Sequence, residues 1–124
     1  MNITPLVPVS AGAEGLLADY QSGWAVGKLR AGQSHLFFRE GGQICCVPYS
    51  AVQYCYRRIE ATPARLCCGA GNLETEYLML IGKDGQLAKI QVPDGRAGKV
   101  LLERLRPLIL HAQFRKPEDT PADD

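Results

Sequence analysis

The chain has 124 residues, a length that fits one domain and allows a core without disulfide or metal staples. Fourteen basic and thirteen acidic side chains give a formal net charge of +1, so the chain lacks the basic excess of a dedicated nucleic-acid-binding protein. No stretch approaches the ~20 apolar residues that span a bilayer, and residues 1–10 lack the features of a signal peptide, which together predict a cytoplasmic protein.

Residues 1–23 form a weakly patterned lead to the domain. Prolines and glycines interrupt this lead, although residues 13–20 can form one or two helical turns that dock on the domain. The domain itself is expected over residues 24–112. Residues 113–124 are expected to form a flexible acidic tail, because the end of the chain is poor in apolar side chains.

The first predicted hairpin has a Gly-Gly turn at residues 41–42. This turn places Phe38 opposite Cys45 and Leu36 opposite Val47, so four apolar side chains share one face. The other face of the same hairpin is mixed in polarity.

The second predicted hairpin has an Asp-Gly turn at residues 84–85, a pair that suits the positive φ angles of a type I′ turn. The resulting pairs are apolar and share one face: Ile81 with Ala88, Met79 with Ile90, and Tyr77 with Val92. The opposite face carries Glu76, Leu80 and Lys89. This alternation predicts a half-buried antiparallel sheet with the apolar pairs inside.

Further strand-like runs complete the predicted sheet. Residues 24–30 are a candidate first strand, and residues 52–60 are rich in aromatic and β-branched side chains. The Thr-Pro pair at residues 62–63 is expected to break that strand. Residues 65–68 then form a short strand that ends at the glycine-rich sequence 69–72.

The last predicted element is an amphipathic helix with Asp94 as its N-cap. Apolar side chains recur at helical spacing and form one stripe: Ala97, Leu101, Leu105 and Leu108. Pro107 lacks a backbone donor, so the helix is expected to kink there or to end near Arg106. The stripe is expected to cover the apolar face of the sheet.

Four segments of the chain are similar in order and patterning to a known family: residues 35–39 (HLFFR), 44–52 (ICCVPYSAV), 77–81 (YLMLI) and the helix from Arg96. Together they resemble the bacterial pleckstrin-homology-like (PH-like) domains. The resemblance covers residues 24–112 and implies a mostly β (α+β) fold: a bent antiparallel seven-stranded sheet or barrel, closed by one C-terminal helix. Such scaffolds carry lipid, peptide and oligomer interfaces, so the resemblance indicates a fold more than an activity.

The five cysteines are predicted to be reduced thiols without a metal: Cys45, Cys46, Cys55, Cys67 and Cys68. Their number is odd and two pairs are adjacent, whereas zinc ribbons separate paired ligands by two residues. Neighbouring residues on a strand point to opposite faces, so an adjacent pair cannot easily chelate one ion. A small buried apolar side chain is the expected role, and no cofactor is predicted.

No catalytic residue is predicted. His35 and His111 are expected at surface or rim positions. Glu74 and Glu76 are expected on an exposed strand face, whereas acid–base catalysis needs carboxylates with opposed pKa values in a cleft. The chain also lacks the short motifs of serine hydrolases and zinc proteases.

The candidate binding residues are two tyrosines and five basic side chains: Lys28, Arg30, Tyr54, Tyr56, Arg57, Arg58 and Arg65. Tyrosines beside arginines can stack on bases or grip acidic peptides. The alternative is that the tyrosines pack on one sheet face while the arginine stems cover its rim. Lipid-binding PH-like domains have basic residues between the first two strands, but here residues 31–34 carry no charge.

The first functional hypothesis is a non-catalytic module that makes protein contacts or self-associates. Open strand edges accept a partner strand, and the outer sheet face is expected to offer apolar area for a partner: Phe37, Ile44, Leu78 and Leu80. The expected partner is a protein or a second copy, and not a nucleic acid. Two alternatives stay open. The first is a peripheral binder of membrane surfaces or acidic ligands, although a net charge near zero gives only a weak attraction to anionic lipid. The second is a thiol redox or metal-binding protein.

Overall fold

Two sheets and two helices make up the described part of the chain, which a computed structural model gives for residues 3–66 and 69–116. Strands supply most of the regular structure, so the sheet-rich α+β class expected from the sequence is confirmed. In chain order the elements are β1 (Ile3–Pro5), α1 (Ala13–Gln21), β2 (Trp24–Val26), β3 (Leu29–Ala31), β4 (His35–Glu40), β5 (Gln43–Pro48), a 3-10 turn (Tyr49–Ala51), β6 (Tyr54–Leu66), β7 (Gly69–Gly82), β8 (Gly85–Val92) and α2 (Gly95–Leu105).

The first sheet has the strand order β1-β5-β4-β3-β2. Strands β2 to β5 form an antiparallel meander, and β1 pairs in parallel with β5. The second sheet is the antiparallel meander β6-β7-β8. The described strands therefore number eight rather than the expected seven, and they form two separate sheets without closing a barrel.

The first predicted hairpin, β4–β5, has the expected register. Leu36 pairs with Val47 and Phe38 with Cys45, and all four side chains lie in the main core. Gly41 has a φ of +61°, a left-handed conformation that glycine adopts without a Cβ penalty. The turn chemistry and the apolar pairing thus specify the same alignment.

The second predicted hairpin, β7–β8, has a different register. Gly82 pairs with Gly85, so the turn lies one residue earlier than expected, and a β-bulge follows between Leu80 and Ile81. Because side chains alternate along a strand, a shift of one residue turns the other face of β7 toward the core. The predicted buried face of β7 is therefore wrong.

The core-facing side of β7 carries Leu78 and Leu80, which are fully buried. Their partners on β8 are Ile90 and Ala88, whose predicted burial is confirmed. Met79 lies on the outer face and is nevertheless only 1% exposed. The bulge thus changes which side chains of β7 enter the core while it leaves the buried set of β8 unchanged.

Two other predicted strand boundaries are wrong, each for a different reason. The run 24–30 divides into β2 and β3 because Gly27, with a φ of +56°, lies in a turn between them. Residues 62–63 lie inside β6, where Pro63 pairs with Asn72 at the start of β7. Proline is tolerated there because β6 is an edge strand.

The main hydrophobic core joins side chains of both sheets to α2, and a smaller cluster lies under α1. In the smaller cluster Leu16 of α1 packs with Phe37 and Cys46 of the first sheet. Phe37, Leu78 and Leu80 are all fully buried. The prediction that these residues offer an apolar outer face to a partner is therefore wrong, because elements of the chain itself cover them.

The C-terminal helix α2 begins and ends as expected. Asp94 accepts a hydrogen bond from Ala97 N at 2.8 Å and so caps the first turn. The helix ends at Leu105, before Pro107. Leu101 and Leu105 are fully buried, which confirms the central part of the apolar stripe as the cover of the sheet.

The apolar stripe changes beyond the end of α2. Leu108 is 40% exposed, whereas Ile109 is fully buried. Ile109 N donates to Leu105 O at 2.9 Å in the turn that follows the helix, and this turn brings Ile109 into the core. The predicted burial of Leu108 is wrong because Pro107 ends the regular helical spacing.

Both ends of the described chain pack on the domain. α1 is docked by Leu16, and at the other end the backbone of Gln113 pairs with the start of β6. Cys55 N donates to Gln113 O at 2.9 Å, and Gln113 N donates to Gln53 O at 2.8 Å. The acidic tail expected over 113–124 lies outside the described residues from position 117 onward.

Ile90→Ala should lower the free energy of unfolding by about 2–4 kcal/mol, because the deleted atoms leave a cavity in the main core. Urea denaturation followed by circular dichroism measures the change. Ile59→Ala is the matched control, since Ile59 is 58% exposed and its truncation should alter stability by less than ~1 kcal/mol. Equal losses for the two variants would contradict the placement of β8.

Candidate functional site

The predicted binding residues lie in separate parts of the molecule. Lys28 is exposed in the turn between β2 and β3. Tyr54 and Tyr56 are half-buried on the outer face of the second sheet, opposite Ile81 and Met79. The side chain of the seventh candidate, at position 65, lies outside the described side chains.

Arg30 holds the end of α1. Its guanidinium donates to the carbonyl oxygens of Tyr20 and Gln21, and it stacks over the Tyr20 ring at 4.7 Å from the ring centroid. These carbonyls lie at the C-terminal end of the helix, where a cation is favoured. Arg30 is therefore engaged by its own chain.

Arg57 and Arg58 point to opposite faces of β6. On the outer face Arg58 Nε lies 3.0 Å from Glu60 Oε2, which Lys89 Nζ approaches at 2.8 Å. Lys89 also lies over the Tyr77 ring, 4.4 Å from its centroid. Arg30, Arg57 and Arg58 thus belong to three different local networks, whereas Lys28 is exposed in the β2–β3 turn.

Arg57 forms an ion pair with Glu76 on the core-facing side of the sheet. Arg57 Nη2 donates to Glu76 Oε1 at 2.5 Å, and the Glu76 side chain is only 7% exposed. The expected exposure of Glu76 is therefore wrong, because the shifted register turns its carboxylate toward α2. The paired guanidinium is what makes a carboxylate tolerable at this depth.

Helix α2 packs on this ion pair through two glycines. A Cβ at Gly95 would lie 3.5 Å from Arg57 Nη2 and 3.6 Å from Glu76 Oε1, which is ordinary contact. A Cβ at Gly98 would overlap Glu76 Oε2. Glu76 Oε2 and Arg57 Nε are buried without a hydrogen-bond partner in the described structure. The carboxylate that α2 packs against is therefore hydrogen-bonded through Oε1 but not through Oε2.

Strands β6 and β7 extend well beyond β8. β8 ends opposite Glu76, whereas β6 and β7 continue together as a two-stranded antiparallel ribbon over residues 60–66 and 69–75, which we call the ribbon. Among the described residues, no strand pairs with the β7 edge of the ribbon. A two-stranded hairpin by itself is only marginally stable in water.

A groove of about 490 Å³ lies beside the ribbon, where β8 ends and α2 begins. Its apolar lining includes Ile59 and Leu73, which are 58% and 55% exposed, together with the buried Val92. Exposed side chains of this size next to an open strand edge are the usual composition of a protein-contact surface.

The charged lining of the groove is predominantly acidic. Arg57 is neutralised by its ion pair with Glu76, and the remaining charges are the exposed carboxylates of Glu74 and Asp94. Asp94 also caps α2, where its Oδ1 accepts a hydrogen bond from Ala97 N at 2.8 Å. The groove therefore presents a net negative charge to solvent.

A second polar cluster clips α1 to the loop between β3 and β4. The Asp19 carboxylate accepts hydrogen bonds from Gln33 N at 2.6 Å and Ser34 N at 3.1 Å, and it lies 2.9 Å from His35 Nδ1. Burial raises the pKa of Asp19, but the hydrogen bonds from His35 and the two backbone amides outweigh it and hold that pKa below its ordinary value of 3.8. The cluster therefore acts as a docking contact.

His35 and His111 line one cavity of about 350 Å³ together with Tyr49. His35 is buried, so its expected rim position is wrong, because Asp19 provides a partner inside the structure. His111 is exposed, as expected. No local sequence pattern predicts that these two histidines line the same cavity.

The cysteines in the described residues are inert in character. Cys45, Cys46 and Cys55 are free and buried, which confirms their expected packing role. Burial raises the pKa of Cys46 to about 11 and that of Cys55 to about 12, so neither thiol forms a thiolate readily. The pair at positions 67 and 68 lies outside the described residues, within which no group of three or more metal-ligating side chains occurs.

Comparisons of the chain with protein-family models, with curated proteins and with solved structures find no match. Neither helix in residues 3–66 and 69–116 is long and apolar enough to cross a membrane.

Gly98→Ala should destabilise the protein by about 1–3 kcal/mol, because the added methyl group overlaps the fixed Glu76 carboxylate. The same change inside a free helix would stabilise it by about 1 kcal/mol. Gly95→Ala is the matched control, because its Cβ meets only ordinary contacts and the variant should keep its stability. Thermal and urea unfolding compare the two, and a more stable Gly98→Ala variant would refute the close contact.

Asp19→Asn should lower the free energy of unfolding near neutral pH and make that free energy less dependent on pH. The folded-state pKa of Asp19 lies below the unfolded value near 3.8, so the ionised carboxylate stabilises the fold above that pH, and this contribution is lost as the pH falls through the folded-state pKa. Urea unfolding at about pH 6, 4 and 3 should show the gap between wild type and variant narrowing with acid. Asp84→Asn, in the exposed β7–β8 turn, is the control, and a constant gap would contradict the role of Asp19.

Proposed function

We propose that the chain is a non-catalytic, PH-like interaction module that makes protein contacts through the ribbon. The observation that carries this proposal is the projection of β6 and β7 beyond β8, with an open strand edge and exposed apolar side chains at the same place. A cytoplasmic setting belongs to the proposal, because adjacent reduced cysteines suit a reducing compartment.

The strand order supports the PH-like part of the proposal. Four antiparallel strands, β2 to β5, are followed by three more, β6 to β8, and then by α2. This is the order that the resemblance implies, with β1 and α1 added in front. The helix packs its buried leucines against the core shared by both sheets, as expected of a closing helix.

The ribbon supports the interaction part. β6 has 13 residues and β7 has 14, whereas β8 has eight, so the two longer strands continue where the third has ended. The unpaired N–H and C=O groups of such an edge can hydrogen-bond to a partner strand. Ile59 and Leu73 offer apolar area beside them.

The alternatives have less support. Binding to an anionic membrane surface needs free cations, and Arg30, Arg57 and Arg58 are each engaged within the chain. Thiol chemistry needs a depressed pKa, whereas burial raises the pKa of Cys46 and Cys55. The half-buried tyrosines on the outer face are better explained as cover for Met79 than as a stacking platform.

Self-association is the form of this function that can be tested with the purified protein alone. We expect size-exclusion chromatography with light scattering to show a mass that rises above 13.5 kDa with concentration. The double variant Ile59→Asp and Leu73→Asp should stay monomeric, because both charges fall on the contact surface while neither site is buried.

Leu110→Asp is the control, since Leu110 is exposed but lies outside the ribbon and its groove. All variants should keep the wild-type circular dichroism spectrum. Dissociation caused by Leu110→Asp but not by the ribbon variants would contradict the proposal. A wild type that is monomeric at every concentration would exclude self-association and leave contact with a different protein.

A further inference from the structure

The β7 edge of the ribbon is the side of β7 along which β8 would run if β8 were longer. β8 pairs antiparallel with β7 and ends at Val92. Pro93 has no backbone N–H to extend the ladder, and Asp94 turns the chain into α2. A strand from another protein can therefore lie beside residues 69–75, the β7 edge of the ribbon, where β8 would have continued, with its side chains over the groove at residues 73–75.

The free edges of β1, β2 and β6 are less suited to a partner strand. The outer strands of the first sheet, β1 and β2, have three residues each, which is too short for a stable ladder. The outer edge of β6 begins against Gln113 and contains Pro63, and proline blunts an edge. The β7 edge of the ribbon combines length, an adjacent groove and exposed apolar side chains.

The lining of the groove specifies the chemistry of the partner. Leu73 is an exposed apolar side chain at the strand edge, so the partner strand needs an apolar side chain beside it. The exposed carboxylates of Glu74 and Asp94 lie at the same groove, while Arg57 is held by Glu76. A concave surface with one sign of charge attracts the opposite sign, and it repels an acidic segment.

We propose that this groove binds an extended segment of a partner protein in which an apolar residue is flanked by Lys or Arg, and that the segment adds to β7 as an antiparallel strand. The inference rests on the proposed function and deepens it. Backbone pairing supplies the alignment, the apolar side chain fills the groove beside Leu73, and the basic side chains face Glu74 and Asp94.

The test uses a blocked, fluorescently labelled peptide that alternates lysine and valine over seven residues, and the full chain. Fluorescence anisotropy at low salt should show saturable binding. The matching peptide with glutamate in place of lysine should bind at least about tenfold more weakly, because its charges oppose the groove. A lysine–valine peptide with N-methylated valines keeps the charge but cannot pair as a strand, and it should also lose about tenfold in affinity.

Protein variants locate the site. Glu74→Lys should weaken binding of the lysine–valine peptide by about three- to tenfold, because it reverses an exposed charge of the groove. Glu103→Lys makes the same change of charge on an exposed part of α2 outside the groove, and it should bind like wild type. Circular dichroism and thermal unfolding establish that both variants are folded.

Equal binding of the N-methylated peptide, or equal effects of Glu74→Lys and Glu103→Lys, would show attraction by net charge alone and would overturn the inference. If the chain self-associates through the ribbon while no peptide binds, the inference is wrong and the proposed function stands. If the chain is monomeric and no peptide binds, the inference and self-association through the ribbon are both wrong.

Discussion

The Arg57–Glu76 ion pair lies where the second sheet meets α2, and the approach of the helix depends on it. A carboxylate so little exposed is stable only with a partner, and Arg57 on the adjacent strand provides that partner. Gly98 then lets the helix backbone approach the pair, so that Leu101 and Leu105 reach the core one and two turns later. A polar contact thus sets the position of the helix that covers the apolar sheet.

The same ion pair links the core to the candidate site. Glu76 is the residue of β7 at which β8 ends, so it marks the boundary between the three-stranded sheet and the two-stranded ribbon. On one side of it Leu78 and Leu80 lie in a closed core, and on the other side Leu73 is exposed. The three-stranded part of the sheet therefore ends at the buried Glu76, and the edge of β7 beyond it pairs with no described strand.

The candidate site is a sheet edge at which one strand, β8, is shorter than the two strands that precede it in sequence order. Within the described residues the ribbon has an open strand edge beside exposed apolar side chains and a net negative groove, and no group of three or more metal-ligating side chains occurs. The buried cysteines with raised pKa values and the Asp19–His35 contact are explained by packing and by docking of α1.

Local sequence rules determined much of this fold. The Gly-Gly turn aligned β4 with β5, and Asp94 and Pro107 bounded α2, because turn geometry, capping and the loss of a proline donor act within a few residues. These features needed no knowledge of the rest of the chain.

Tertiary structure decided which side of β7 is buried, and with it the location of the site. The period-2 pattern of β7 is apolar on both faces, so only the bulge beside Leu80 and the cover by α2 determine that Glu76 points inward. The sequence likewise predicted a break at residues 62–63, because a proline interrupts a central strand, whereas an edge strand accepts it. Whether a strand lies at an edge depends on its neighbours in space, and the sequence of one strand does not contain that information.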